Sequence, residues 1–336
     1  MSCYHPMIGI PTGELTATGK KKLLIKQIKD SRAVEKEIKE NPNAILIPCG
    51  KCVGCRLDYS KRWADRMCLE LETAKKGIFV TLTYDNEHMP RINDNITGEE
   101  VGTLDKRDLQ LFLKRLRKHF SNIRIRFFGS GEYGPNTHRP HYHVILFGLG
   151  LSDFSDLTLK GMNELKQQYY FSPTMTELWN NGFTLLSEVS WQTCAYVARY
   201  VVKKIADYTD FEERDGRLKE FSLMSRKPGI GKLYLDLHPE CIDIKSIALS
   251  TEEGGREVSI PNYYYRQLIR EPTENFPNPL YNPEKYAIIK EKRRDAATDS
   301  MFQELDKTDK NLVDYLKVKE MNKVTQIAAL KRNKVM

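Results

Sequence analysis

The chain has 336 residues, of which 40% are hydrophobic and 29% are charged, and its formal net charge is +8. This length is sufficient for one large or two modest domains. No apolar run approaches the roughly 20 residues that cross a bilayer, and residues 1–6 lack the basic and apolar regions of a signal peptide. We therefore expect a folded cytoplasmic protein with no membrane partner.

The excess of basic residues favours an anionic partner, and nucleic acid is the leading candidate. Basic and aromatic side chains are interleaved in places, as at residues 124–128. A basic surface that is only solvated is the simpler alternative. The seven cysteines are an odd number and three of them are clustered. This usage suits a reducing compartment with metal binding better than a disulfide framework.

The N-terminal part of the chain predicts little regular structure. Its first 48 residues are rich in lysine and lack a clear period, apart from an apolar run at residues 45–47 that could form a strand. Residues 57–74 then repeat apolar side chains at helical spacing, and residues 78–84 are β-branched and aromatic. These two patterns predict an amphipathic helix followed by the first strand of a core sheet.

The next segment predicts a helix and a hairpin. Residues 105–120 carry an apolar stripe opposite a basic face, which is typical of an amphipathic helix. Two strand-like segments follow at residues 123–133 and 141–147, joined by a Gly-Pro-Asn turn at residues 134–136. We expect these two strands to pair directly.

The pattern continues with alternating elements. Residues 165–179 predict a partly helical segment that is interrupted at Pro173, residues 183–189 predict a strand, and residues 191–205 predict a helix. Strands and helices in this order indicate the α+β class. The predicted domains are an N-terminal segment with the cysteine cluster, a core, an extension with a basic loop and a helical or mobile tail, at residues 1–70, 71–210, 211–283 and 284–336.

Two histidines on the second hairpin strand are candidate metal ligands. Side chains alternate faces along a strand, so His141 and His143 point to the same side and Tyr142 to the other. Glu132, near the end of the preceding strand, is placed to supply a third ligand, and His138 is a weaker candidate. The plainer alternative is that these are ordinary histidines on a half-buried strand.

Two tyrosines on the last predicted helix are candidate nucleophiles. Residues four apart share a helix face, so Tyr196 and Tyr200 would present both phenols on one side. A phenol needs a nearby cation to ionise, and Lys203 is the auxiliary cation that we predict, with Arg199 as a further candidate. The alternative is that the pair serves core packing or stacking.

A cluster of cysteines predicts a separate metal site. Cys49, Cys52 and Cys55 offer three soft ligands, which favours a structural zinc whose fourth ligand would be Cys3, with His5 and Cys68 as the other candidates. An iron–sulfur cluster is less favoured, because Tyr59 occupies the place where a fourth cysteine belongs. Unligated thiols are the alternative.

These motifs resemble those of the HUH endonucleases, which initiate rolling-circle replication. Residues 79–84, 139–148 and 196–204 are similar to the three motifs of that superfamily and follow its order. More narrowly, residues 48–56, 63–66 and 221–231 resemble the replication initiators of gokushoviruses, which are phages of the microvirus family with single-stranded DNA. The resemblance covers roughly residues 45–240.

The resemblance implies a fold and a mechanism. The fold would be an antiparallel sheet flanked by helices, with a divalent cation, Mg²⁺ or Mn²⁺, held by His141, His143 and Glu132. One tyrosine would nick single-stranded origin DNA, leaving a 5′-phosphotyrosyl enzyme and a 3′-hydroxyl primer, and the second would allow the displaced strand to be rejoined into a circle. Host DNA polymerase and helicase would be partners in the host bacterial cytoplasm.

Functions of three other classes compete with this one. A noncatalytic protein that binds single-stranded nucleic acid could use the same aromatic and basic side chains. A zinc nucleobase deaminase is disfavoured, because its His-x-Glu signature precedes the cysteine pair, whereas here His238 and Glu240 follow it. A nucleotide-driven motor is disfavoured because no complete phosphate-binding loop motif occurs in the sequence.

Overall fold

The protein is described here by a computed structural model, which covers residues 3–15, 21–28, 40–41, 43–134, 137–162, 167–206, 216–251, 254–275 and 277–332. The chain divides into two compact units. One comprises residues 60–267, and the other comprises residues 1–59 together with 268–336. The four-part division drawn from the sequence stays a prediction.

The unit of residues 60–267 is built on a seven-stranded antiparallel sheet, which confirms the α+β class and the antiparallel sheet flanked by helices. Its strands are β4 Gly77–Tyr84, β7 Arg126–Tyr133, β8 Pro140–Phe147, β9 Thr158–Met162, β10 Gln168–Phe171, β11 Gly182–Glu188 and β12 Phe221–Met224. In spatial order they run β12-β7-β8-β4-β11-β10-β9.

Helices and shorter pieces of this unit connect the strands. The helices, the first of which begins just before the unit, are α1 Val53–Ala74, α2 Lys106–His119, α3 Pro173–Trp179, α4 Trp191–Ala206, α5 Lys232–Leu237 and α6 Asn262–Tyr265. Two-stranded sheets form between β5 Arg91–Asn93 and β6 Glu100–Gly102, and between β13 Ser246–Thr251 and β14 Gly254–Ser259. Single 3₁₀ turns lie at Leu151–Asp153, Pro239–Ile242 and Arg266–Ile269.

The main core lies on one face of the sheet, beneath α2 and α3. Helix α2 begins at the side chain of Asp105, which accepts a hydrogen bond from the backbone of Arg107, and its apolar stripe is buried as predicted. Tyr142 points into this core, and its hydroxyl lies 2.7 Å from that of Tyr84. The Tyr84 hydroxyl donates to Asp108 at 2.6 Å, so the two tyrosines tie α2 to the sheet.

The opposite face of the sheet is covered by α1 and α4. Trp63 of α1 packs on Phe128 of β7 with 5.1 Å between ring centroids, and Tyr196 of α4 packs edge-on against Phe79 of β4 at 6.3 Å. On the same helix as Trp63, the buried carboxylate of Glu70 pairs with Arg126 and accepts from the backbone N–H of Gly231 at 2.6 Å. The sheet therefore has helices on both faces.

The structure corrects the prediction for residues 165–179. Pro173 does not interrupt a helical segment but begins α3, where proline is tolerated because its missing N–H is not needed in the first turn. The residues before it form the strand β10, whose short mixed sequence carries no clear period. The turn predicted at residues 134–136 includes two residues, 135 and 136, outside the described part of the chain.

The other unit has a small sheet and two long helices. Its strands are β1 Met7–Leu15, β2 Lys21–Gln27 and β3 Ile45–Ile47, in the order β2-β1-β3, and its helices are α7 Pro283–Leu305 and α8 Leu312–Arg332. The first two strands were missed, because lysines and glycines break the alternation that predicts a strand. Ile8 and Leu46 pack with Met301, Leu305 and Leu316, so this part of the tail is helical and contributes to a core.

Candidate functional site

The three predicted metal ligands are brought together by the register of the sheet. In the hairpin of β7 and β8, Glu132 lies directly opposite His141, and His141 in turn lies opposite Thr83 of β4. His143 occupies the next row on the same face, opposite Thr81 of β4. Because strand side chains repeat every second residue, all three candidate ligands project from one face of neighbouring strands.

The distances within this cluster suit a shared ion. The Oε1 atom of Glu132 lies 2.8 Å from Nε2 of His141 and 2.6 Å from Nε2 of His143, and one ligand atom from each residue lies within 4.8 Å of the others. Glu132 is 2% exposed, and in the described part of the chain its other oxygen, Oε2, has no hydrogen-bond partner. An unsatisfied buried carboxylate oxygen costs free energy unless a cation or water completes it.

The ionisation of these groups follows from their mutual contacts. Burial opposes the charge on Glu132, but the hydrogen bonds with His141 and His143 outweigh it and lower the pKa of the carboxyl. Burial likewise disfavours the imidazolium of His141, yet the contact with Glu132 prevails and raises the pKa of that ring. A divalent cation takes the place of the ring protons in a site of this composition.

The outward-facing ring nitrogens of the histidines are held by other groups. Nδ1 of His141 lies 3.1 Å from the carbonyl oxygen of Arg139, and Nδ1 of His143 lies 3.1 Å from the hydroxyl of Thr81. Phe79 also stacks on the His143 ring at 5.5 Å with an interplanar angle of 10°. Such partners fix ring orientation and leave Nε2 directed at the shared point.

One candidate nucleophile lies beside this cluster. Helix α4 begins after Ser190, whose side chain accepts from the backbone of Thr193 at 3.2 Å, and carries Tyr196 over the sheet. The Tyr196 hydroxyl lies 3.4 Å from Nε2 of His143, with the two rings edge-on at 5.1 Å. Tyr196 is 39% exposed, so solvent or a substrate can reach it.

The remaining predicted site residues divide into two groups. The backbone of Tyr200 and Lys203 lies in α4, one and two turns after Tyr196, but their side chains, like that of Arg199, are outside the described residues. His138 is exposed and does not belong to the metal-binding cluster. The sequence analysis missed Thr81, because only strand register places it next to His143.

The cysteine cluster forms a second group of metal-binding side chains, in the unit of residues 1–59 and 268–336. The sulfur atoms of Cys3, Cys49, Cys52 and Cys55 all lie within 4.8 Å of one another. Cys49 and Cys55 are 4.0 Å apart, and Cys3 and Cys52 are 3.9 Å apart. Of the candidates for the fourth position, the structure brings Cys3 to the cluster.

The two other candidates for that position have different partners. His5 lies 2.6 Å from a carboxylate oxygen of Glu320, and Cys68 contacts Cys194. Backbone N–H groups point instead at the clustered sulfurs: Cys49 donates to the sulfur of Cys3 at 3.2 Å. Donors of this kind stabilise thiolates, the form that binds metal.

Comparison with known proteins identifies the family. Residues 77–205, which include the sheet strands and helix of the first site, match the family model of the replication-associated protein ORF2. The replication-associated protein ORF2 of Spiroplasma virus 4 is 32% identical over 85% of this chain and 86% of its own length. The chain belongs to this family.

Two further phage proteins agree with the assignment. The replication-associated protein VP4 of Bdellovibrio phage phiMH2K is 30% identical over 68% of this chain and 69% of its own length. The replication-associated protein ORF4 of Chlamydia phage 1 is 30% identical over 70% of this chain and 57% of its own length. The predicted resemblance to the microvirus replication proteins is therefore confirmed.

No solved structure matches the chain. Across the described residues, none of the helices combines the length and the apolar character needed to cross a bilayer.

Proposed function

We propose that this chain is the replication initiator of a bacteriophage with single-stranded DNA, and that it is a metal-dependent nickase with strand-transfer activity. Membership of a family of phage replication-associated proteins supports the replication role. The observation that carries the chemistry is the Tyr196 hydroxyl, 3.4 Å from a histidine of the Glu–His–His cluster. A phenol next to three convergent ligands is an arrangement suited to tyrosyl phosphodiester transfer.

In the proposed reaction, Tyr196 or Tyr200 attacks a phosphodiester of the origin strand. The phenolic oxygen forms a bond to phosphorus while the bond from phosphorus to the 3′ oxygen breaks, giving a 5′-phosphotyrosyl enzyme and a 3′-hydroxyl. The proton that the phenol loses is balanced by the proton that the 3′ oxygen gains. Lys203 is the proposed auxiliary cation. Because the phosphodiester energy is retained, a later 3′-hydroxyl can reverse the step and close a circle.

Glu132, His141 and His143 are the proposed ligands of a divalent cation. The buried Oε2 atom of Glu132 and the two orientated Nε2 atoms fit that role. When bound, the cation would neutralise charge on a nonbridging oxygen of the scissile phosphate. Two imidazoles suit Mn²⁺ better than Mg²⁺, and availability in the cell decides between them.

The proposal includes partners and a place of action. The sequence contains no complete nucleotide-binding loop motif, so strand separation is assigned to a host helicase and extension of the primer to a host DNA polymerase. The substrate is single-stranded origin DNA. The chain would act in the host bacterial cytoplasm, where the phage genome is copied.

Covalent capture of DNA tests the proposed chemistry. The full chain is mixed with a labelled single strand from its own phage origin and Mn²⁺, then run on a denaturing gel beside Tyr196→Phe, Tyr200→Phe and the double variant. We expect a protein–DNA adduct that survives in at least one single variant and disappears in the double variant.

Loss of that adduct must be separated from misfolding. Phenylalanine keeps the ring and its packing, and circular dichroism checks that each variant is folded. If the unsubstituted chain binds DNA but gives no adduct with any divalent cation on any origin fragment, the nickase proposal is wrong. A noncatalytic protein that binds single-stranded nucleic acid then takes its place.

We also propose that Cys3, Cys49, Cys52 and Cys55 hold a structural Zn²⁺. Zinc binds thiolate sulfur at about 2.3 Å in tetrahedral geometry, which separates neighbouring sulfurs by about 3.8 Å. Two of the sulfur pairs, at 3.9 and 4.0 Å, are close to that spacing. The ion would join the segment that leads into β1 to the start of α1.

Metal analysis tests the zinc proposal. The purified chain should carry about one zinc per molecule, because four protein ligands make a closed structural site. Cys52→Ser should lose the ion, while Cys241→Ala, which removes a buried thiol outside the cluster, should retain it. A purified protein with full folding and no zinc, even after incubation with Zn²⁺, would exclude the site.

A further inference from the structure

A large aromatic side chain is exposed in the sheet beside the Glu–His–His cluster. Phe183 of β11 is 64% exposed and lies opposite Thr83, which lies opposite His141. Leu185, two residues further on the same face, is 42% exposed and lies opposite Thr81. Strands are spaced about 4.8 Å apart, which puts the Phe183 backbone about 10 Å from that of His141.

The start of β11 is fixed closely against β4. Gly182 has a φ of 139°, and a Cβ there would lie 2.3 Å from the backbone nitrogen of Asp85. Only glycine tolerates that approach. Seven consecutive pairs join β11 and β4, from Gly182 opposite Tyr84 to Glu188 opposite Ile78. Phe183 therefore stands on a rigid strand, and its exposure does not come from a loose loop.

A cavity of about 460 Å³ opens next to the Phe183 ring. Its volume lies within the range of about 300–1,000 Å³ that is typical of small-molecule sites. The lining combines an aromatic ring, a guanidinium and an amide, supplied by Thr83, Tyr84, Asp85, Asn86, Arg139 and Phe183.

Arg139 gives the cavity a positive charge and links it to the metal-binding cluster. Its guanidinium donates to the carbonyl of Tyr84 at 2.7 Å and to the side-chain oxygen of Asn86 at 3.0 Å, and in the described part of the chain it pairs with no carboxylate. The carbonyl of the same residue holds Nδ1 of His141. The cavity and the proposed cation site therefore share a residue.

We infer that this cavity binds one base of single-stranded DNA, stacked on Phe183, next to the phosphate held at the cation site. The inference rests on the proposed function, because it places the substrate of that reaction. An exposed aromatic ring on a rigid strand stacks with any base, and a neighbouring arginine attracts the backbone phosphates. A duplex buries its bases in the stack, so the site would select single strands.

Fluorescence anisotropy of two labelled probes tests this inference without requiring cleavage. The probes are a dT 20-mer and a 20-mer of abasic sites, which carries the same phosphates and no bases, and no Mg²⁺ or Mn²⁺ is added. Phe183→Ala should weaken binding of the dT probe by about 5- to 150-fold, which is the loss expected for one stacked base. Binding of the abasic probe should be unchanged.

Two variants control for folding and for general loss of apolar surface. Phe183→Trp keeps an aromatic ring and should bind the dT probe within about twofold of the unsubstituted chain. Leu159→Ala removes a 54% exposed side chain from β9 of the same sheet and should change neither affinity. Arg139→Gln should weaken both probes alike, because phosphate contacts do not depend on the base.

The outcomes separate this inference from the proposed function. If Phe183→Ala binds the dT probe as tightly as the unsubstituted chain, or weakens both probes equally, base stacking at this site is refuted and the exposed strip is left to a protein partner. The nickase proposal still stands in that case if the covalent adduct forms. If the adduct never forms but Phe183→Ala loses base-dependent binding, the base site stands and the nickase proposal falls.

Discussion

The two clusters of metal-binding side chains differ in how they are built. Glu132, His141 and His143 come from paired strands, offer one oxygen and two nitrogens, and lie beside an accessible tyrosine hydroxyl. The cysteine cluster offers four sulfurs from one short segment plus Cys3, and three of its four residues are buried. An incomplete ligand set next to a reactive group suits catalysis, whereas a complete and enclosed set suits structure. The comparison predicts opposite effects of substitution in the two places.

The largest expected effect is on the reaction, from removal of a ligand in the first cluster. His143→Ala should lower the rate of adduct formation by at least about 100-fold, since even residues that only orient a ligand are worth up to that much. The melting temperature should change little. Quenched time courses with Mn²⁺ measure the rate, and calorimetry checks the fold. A variant with normal rates would remove His143 from the reaction.

The next effect is on stability, from loss of the second cluster. Removing zinc with a chelator, or by Cys52→Ser, should lower the melting temperature by about 10 °C, because a structural zinc contributes several kcal/mol to folding. His141→Ala, measured in the same way, should not show this loss. If both substitutions lowered the melting temperature equally, the distinction between a catalytic and a structural cluster would be wrong.

A smaller effect is expected at a residue that orients a ligand. Thr81→Val keeps the shape of the side chain but removes the hydroxyl next to Nδ1 of His143, and should weaken Mn²⁺ binding and slow adduct formation by about 10- to 100-fold. Thr81→Ser restores the hydroxyl and should recover most of the loss. Titration with Mn²⁺ provides the affinities. Equal losses in the two variants would indicate a packing defect instead.

The smallest effect is expected at the exposed histidine near the hairpin. His138 lies outside the cluster, so His138→Ala should change the rate of adduct formation and the Mn²⁺ affinity by less than about twofold. The measurement is the same time course and titration. A tenfold loss of Mn²⁺ affinity would show that the ligand set includes this residue.

Much of the first cluster could be predicted because its ligands are close in sequence. Alternation along one strand places His141 and His143 on the same face, and a hairpin returns Glu132 to them. The strands and helices of the core were also predictable where the apolar pattern is regular, as in β4 and α2. Strands β1, β9 and β10 were not, because their short or polar sequences carry no clear alternation.

The sequence by itself determined the chemistry that the chain can offer: two histidines at strand spacing, two tyrosines at helical spacing, and three cysteines in a short run. Tertiary structure decided which of these groups meet. Strand register placed Thr81 next to His143 and Phe183 in the row of His141, and chain folding brought Cys3 to cysteines more than 45 residues away. Local spacing fixes the direction of neighbouring side chains, whereas contacts between distant segments depend on the packing of the whole chain.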